Sequence, residues 1–231
     1  MKLELVGKKE ESGDAVTFIF KSHTPIEWKA GQFIFYTLPH QNPDERGITR
    51  YFTISSTPYE KNIHITTRIL KEKASTFKRK LSKMEAGDTI EAADTDGDFT
   101  TNEPNKKYIF ISGGIGITPY RSILLDLDHR NLPINVTLLY ANSNDNFVFK
   151  EELETLAAKH SNFKIKYFVS PRHIEKEVIQ KAIDEIGSDP IVYFSGPEPM
   201  TEAFEKLLKE EMKLPEDRIK LDFFPGYDII K

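Results

Sequence analysis

The feature that most constrains the fold is a change of rhythm near residue 100. Before it, short runs rich in β-branched and aromatic residues follow one another: "AVTFIF", "GQFIFYTL", "ITRYFTIS" and "NIHITTRIL". Turn residues separate them, as in an antiparallel barrel or sandwich. One segment breaks the pattern: "STFKRKLSKM" spaces Phe77, Leu81 and Met84 as a helix would, with Ser75 as its N-cap. After "TTNEPNKK" (100–107), a polar stretch without periodicity, strand-like runs alternate with amphipathic segments. "YIFIS", "INVTLLY", "FKIKYFV", "IVYFS" and "IKLDFF" are the strands. The helices are expected near 119–129, 148–160, 174–186 and 198–212. That alternation predicts a parallel sheet with helices on both faces. The fold class expected is therefore two domains: an N-terminal antiparallel β-barrel over 1–101 and a C-terminal α/β domain with a five-stranded parallel sheet over 106–231.

Composition narrows the chemistry. The 231 residues contain no cysteine, which excludes disulfides, thiol catalysis and cysteine-held zinc or iron–sulfur centres within this chain. The six histidines are scattered without ligand spacing, so no metal site is expected. A net charge of −4 gives nucleic-acid binding no support. No apolar run approaches the ~20 residues of a membrane helix, and "MKLELVGKKEESGD" has no signal-peptide core. The chain reads as cytoplasmic.

Three stretches carry ligand chemistry. In "YIFISGGIGITP" a buried strand runs into Gly113, Gly114 and Gly116 and then Thr118-Pro119. The stretch resembles the dinucleotide fingerprint G-x-G-x-x-G with proline in the last position. Proline at the start of a helix sacrifices no hydrogen bond, the glycines admit a ligand to the backbone, and Thr118 can cap the helix or meet a phosphate. In "YFSGPEPM" a second strand ends in Ser195, Gly196 and Pro197, at the same edge of the sheet. In "RYFTISS" alternation puts Arg50, Phe52 and Ile54 on one face and Tyr51, Thr53 and Ser55 on the other. An arginine followed by an aromatic two residues later suits a ligand with a phosphate and a flat ring.

The ordered set of these stretches resembles the ferredoxin–NADP⁺ reductase family in its broad sense, which includes flavin reductases and cytochrome b5 reductases. The resemblance spans the chain. It implies FAD as cofactor and NADH or NADPH as electron donor, with hydride passing from nicotinamide C4 to flavin N5. Carried over residue by residue, it implies Arg50 on the FAD pyrophosphate, Tyr51 and Phe52 beside the flavin and Thr53 near N5. Phe52 stands where the family has tyrosine. Thr66, Thr67 and Arg68 match the strand beside the flavin and its phosphates, and Ser75 and Thr76 the helix start at the pyrophosphate. Gly114, Gly116, Ile117 and Thr118 match the nucleotide cradle. Ser195, Gly196, Pro197 and Met200 match a Cys-Gly-Pro-x-x-Met stretch, with serine for cysteine. Asp222 and Phe224 match the closing acid-x-aromatic, with Phe224 or Tyr227 as cover for the flavin. Thr53 and Ser195 are the expected catalytic positions. The glycine usual before the helix serine is absent, since Lys73 and Ala74 stand there.

The donor is open: Asp145 suits a ribose 2′-hydroxyl, whereas Ser170 and Arg172 lie where a 2′-phosphate would be held. The acceptor is a separate molecule. Arg68, Lys71, Lys73, Lys78, Arg79, Lys80 and Lys83 form a basic run that suits a small acidic electron-carrier protein such as a ferredoxin or flavodoxin. A free-flavin reductase and a non-catalytic flavin-binding subunit are the alternatives.

Overall fold

Alternating apolar residues build the first sheet. A computed structural model describes residues 1–70, 74–101, 103, 105–187 and 189–224. Strands β1 (Lys2–Glu10), β2 (Ala15–Ser22), β3 (Phe33–Thr37), β4 (Thr49–Thr53), β5 (Ile63–Arg68) and β6 (Thr89–Asp96) pair antiparallel in the order β4-β3-β6-β1-β2-β5. The sheet curls until its two edges meet, where the Ser55 N–H donates to the His64 carbonyl at 3.0 Å. Inward residues Leu3, Leu5, Phe18, Phe20, Ile34, Tyr36, Ile54, Ile63 and Ile65 fill the interior. Helix α1 (Thr76–Ser82) plugs one end with Phe77 and Leu81, joined by Met84 just beyond it. The expected N-cap forms, Ser75 Oγ accepting the Lys78 N–H at 3.2 Å.

The second sheet is wholly parallel. β7 (Tyr108–Gly113), β8 (Val136–Asn142), β9 (Phe163–Val169), β10 (Ile191–Pro197) and β11 (Ile219–Phe224) lie in the order β11-β10-β7-β8-β9. Between them run α2 (Thr118–His129), α3 (Lys150–Lys159), α4 (Lys176–Ile186) and α5 (Glu198–Lys206). The strand period of two sorts β7 between two cores: Tyr108 and Phe110 face α2 and α3, while Ile109 and Ile111 face α4 and α5. Burial on both faces is why these strands read as continuous apolar runs. The helix expected to reach 212 is α-helical only to Lys206 and continues as a wider π turn over Leu207–Glu211.

The two sheets share a seam. Phe99, which follows β6, is buried among Tyr120 and Tyr193 of the second layer, with ring centroids 5.6 and 4.8 Å away. The Tyr193 hydroxyl donates to the Thr100 carbonyl at 2.9 Å. From the barrel side, Gly31 (φ +98) rests on the Phe99 carbonyl, and an added Cβ would lie 2.0 Å from that oxygen. Because β8 and β10 flank β7, the chain leaves β7 toward one side and returns on the other. A crevice therefore opens at the carboxyl ends of β7 and β10, the place where open α/β sheets bind ligands.

Candidate functional site

The glycine loop lies in that crevice. Gly114 takes φ +55, a left-handed conformation that costs glycine little, and Gly114–Ile117 form a 3-10 turn that leads into α2. The backbone at Gly114 is open, the nearest atom to an added Cβ being Asn142 Oδ1 at 3.8 Å. Gly116 does something other than admit a ligand. A Cβ there would lie 2.1 Å from the Ser195 carbonyl oxygen, so the missing side chain lets the loop pack on β10. Gly113 likewise lies under Met200, whose sulfur would be 2.8 Å from an added Cβ, with Pro197 at 3.2 Å. The two glycine-containing stretches thus interlock through bare backbone. Thr118 is buried and its hydroxyl donates to the Ile115 carbonyl at 3.2 Å, capping the turn; Ile117 is buried beside it.

Ser195, buried in β10, lies opposite Asp222 of β11, and its hydroxyl donates to Asp222 Oδ2 at 3.1 Å. Across the crevice stands Tyr51. Burial pushes its hydroxyl pKa up, and the carboxylates of Asp222 and Glu198 push in the same direction, so the ends of β10 and β11 lie within electrostatic reach of it. Strand alternation decides which ring faces where. Tyr51 stands with Phe33 and Phe35, centroids 5.2 and 5.6 Å apart, outside the barrel. Phe52 turns inward onto Tyr36 and Phe77, at 6.1 and 5.7 Å. Thr53 is buried at the end of β4, opposite Phe33.

Arg50 is 7% exposed and lies on the inner face with Phe77, 5.8 Å from that ring's centroid. Its Nη1 donates to the carbonyls of Arg46, Gly47 and Thr49 at 2.6, 3.1 and 2.7 Å, and its Nη2 to Asp44 Oδ1 at 2.6 Å. The other Asp44 oxygen accepts the N–H and the hydroxyl of Thr76, both at 2.9 Å. Partial burial works to raise the Asp44 carboxyl; the Thr76 donors and the Arg50 charge outweigh it and hold it below the usual carboxylate range.

The remaining expected positions scatter. Thr66 shares hydroxyl bonds with Thr17 at 2.8 Å and Ser55 at 2.7 Å on the outer face of the barrel, and Thr67 is buried. Arg68 pairs with Asp14 and donates to Asn142 Oδ1 at 3.1 Å, which carries it to the glycine loop. The Ser170 N–H donates to the Asn142 carbonyl at 3.2 Å, and the exposed Arg172 lies 5.9 Å from the Phe168 ring. Phe224 pairs with Pro197 through the backbone of β11. Its side chain, Lys71, Lys73 and Tyr227 lie outside the described residues. Among the described residues no group of metal-ligating side chains assembles and no helix is long and apolar enough to cross a membrane.

Sequence reasoning missed Arg121, the residue that binds the two layers. All five of its N–H donors are engaged. It reaches the Ser55 carbonyl at 2.7 Å, Glu60 at 3.1 and 3.2 Å, and Glu152 at 2.6 and 2.9 Å. Next to it, the Ser122 hydroxyl donates to the Ser56 carbonyl at 2.6 Å. An arginine among the apolar residues of α2 was the available signal. Asp44 and Asn142 had none, since each is an ordinary polar loop or strand-end residue in sequence.

Residues 110–206 match a family model described as "Oxidoreductase NAD-binding domain". Over 95% of its length the chain is 27% identical to a flavohemoprotein of Burkholderia sp. (strain TH2), covering 58% of that protein. It is 31% identical, over 62% of its length, to the reductase component of a phenol 2-monooxygenase from Pseudomonas sp. (strain CF600), covering 40% of that protein. The fold matches ferredoxin–NADP⁺ reductase from Plasmodium falciparum with a TM-score of 0.81 and 19% identity, covering 96% of this chain and 95% of the other. The chain shares the two-layer fold of the ferredoxin–NADP⁺ reductase family, and residues 110–206 are similar to an oxidoreductase NAD-binding domain. It spans about half the length of the curated relatives it matches. The family's cofactors are FAD and NAD(P)H, and the residues present fit both. The open backbone at Gly114 suits a nucleotide phosphate. The buried Arg50 keeps one nitrogen, Nε, without a partner among the described residues, and its guanidinium already gathers an anion with Thr76.

Proposed function

We propose that the chain is an NAD(P)H-dependent flavoprotein reductase that passes electrons to a separate acceptor. The observation that carries this reading is the crevice itself. Arg68, at the end of barrel strand β5, donates to Asn142 beside the glycine loop at 3.1 Å, and Tyr51 of β4 lies within electrostatic reach of Asp222, the partner of Ser195. Bound FAD would supply the hydride acceptor, at its N5 atom. The chain's own residues align two flat ligands. Arg50 and Thr76 hold the flavin phosphate, while Tyr51 and Thr53 border its ring system. Gly114 holds the nucleotide phosphate, with Arg68 close by, and Ser195 and Asp222 hold the nicotinamide end. Alignment suffices for a hydride step, so no acid–base dyad is required. The donor is NADH or NADPH, according to whether Asp145 or the Ser170–Arg172 loop meets the adenosine ribose.

The acceptor we propose is a small acidic electron-carrier protein. Arg79, Lys80 and Lys83 stand exposed on and just after α1, at the flavin end of the barrel, where they can steer such a partner. The similarity to a monooxygenase reductase component points the same way.

The test is a visible spectrum of the purified protein, followed by anaerobic titration with NADH and NADPH in parallel. A flavin spectrum bleached by one nucleotide supports the proposal and names the donor. A colourless protein that oxidises nucleotide only with added flavin makes it a free-flavin reductase. A bound flavin that neither nucleotide reduces would sink the catalytic reading.

A further inference from the structure

Arg50 and Thr76 are the flavin-phosphate residues of the proposed function, yet a residue of the chain already holds both. Asp44 takes Arg50 Nη2 on one carboxylate oxygen and the Thr76 N–H and hydroxyl on the other. The Asp44 N–H returns a bond to Thr76 Oγ1 at 3.0 Å. One anion therefore spans the donors that a phosphate group would use.

We infer that Asp44 is an intramolecular competitor for the flavin phosphate, and that binding flavin exchanges one anion for the other on Arg50 and Thr76. This rests on the placement of the flavin proposed above.

Burial decides which partner moves. The Arg50 side chain is 7% exposed, packed on Phe77 and tied to three carbonyls, so it stays. The Asp44 side chain is 27% exposed and belongs to a surface loop in which Gln41, Asn42, Pro43, Glu45 and Arg46 are all exposed. Swinging Asp44 outward returns a carboxylate to water and opens no apolar core. Gly47 (φ +70) donates its N–H to the Asp44 carbonyl at 2.8 Å, and the Arg46 and Gly47 carbonyls hold Arg50, so the turn backbone stays and the Asp44 side chain swings out by its own rotation. Arg50 Nε is buried without a partner among the described residues. A carboxylate has two oxygens, and here both are taken. A phosphate has more, and can engage Arg50 and Thr76 while leaving one for Nε. The exchange therefore favours a ligand that carries phosphate.

The experiment compares wild type with Asp44→Asn and Asp44→Ser, titrating FAD, FMN and riboflavin by flavin fluorescence. Both variants remove the charge, and both keep an oxygen that can accept from Thr76. The expected result is FAD and FMN binding roughly tenfold tighter, the scale of one charge-assisted hydrogen bond no longer contested, with riboflavin unchanged. Circular dichroism identifies a variant that has not folded, in which case the other decides. FAD binding that is weaker or unchanged in the folded variants makes Asp44 a brace for Arg50 and overturns the inference. An equal gain for riboflavin, which has no phosphate, overturns it as well. Arg50→Ala separates the two levels. If FAD affinity survives that change, the flavin placement itself is wrong, and the competitor falls with it.

Discussion

Replacing Arg121 by methionine keeps the stem of the side chain and removes the clasp between the two sheets. The Ser55 carbonyl, at the end of the strand that carries Arg50–Thr53, loses its arginine donor; an unpaired buried carbonyl costs about 1–3 kcal/mol. The Glu60 side chain is 20% exposed and loses a bidentate partner. Its cost falls below the ~3–5 kcal/mol of a fully buried broken pair, because water can reach it. Glu152, at 38% exposed, rehydrates and adds little. The sum is about 3 kcal/mol, which lowers the melting temperature of a chain this size by roughly 6–12 °C. The loss has a pH signature. Burial works to raise the Glu60 carboxyl, but the Arg121 bonds and charge outweigh it, so the folded pKa lies below the ordinary 4.5. A depressed carboxylate contributes stability that is present above its unfolded pKa and lost as pH falls through the folded one. The gap between wild type and Arg121→Met is therefore full at neutral pH and narrows below about pH 4.5. Urea unfolding across that range measures it. A loss under ~1 kcal/mol at neutral pH, or a gap indifferent to pH, would refute the assignment of Arg121 as the clasp.

Two further substitutions probe the crevice. Gly116→Ala puts a methyl 2.1 Å from the backbone oxygen of Ser195, which no rotamer can relieve. Stability should fall by ~3 kcal/mol and nucleotide affinity with it, and a neutral result would show that the loops separate freely. Ser195→Ala removes the hydroxyl bound to Asp222. Flavin reduction by NAD(P)H, followed by stopped flow, should slow roughly ten- to hundredfold while FAD binding is unchanged. An unaltered rate would remove Ser195 from the nicotinamide site.

Local patterns made the architecture legible. The period of two in "AVTFIF" and "NIHITTRIL" marks half-buried strands of one curled sheet, and the doubly apolar "YIFIS" and "IVYFS" mark strands covered on both faces. Ser75 and Pro119 mark helix starts because capping is decided within a few residues. The glycine stretches could be placed at one sheet edge because strand–loop–helix order implies it. The same alternation identified Arg50 and Phe52 as neighbours on one face of β4, apart from Tyr51.

What only the tertiary structure decided depends on residues far apart in the chain. Gly116 is glycine because Ser195 lies against it, a contact between positions 79 apart that no local pattern encodes. Arg121 looks like a surface charge until α2 is laid across the end of β4, where Ser55, Glu60 and Glu152 converge on it. Arg50 reads as a free cation awaiting a phosphate, and folding brings Asp44 and Thr76 to it from a loop and a helix. Periodicity reports whether a side chain points toward water or core. Which charge meets which depends on how the layers dock, and that information exists only once they have packed.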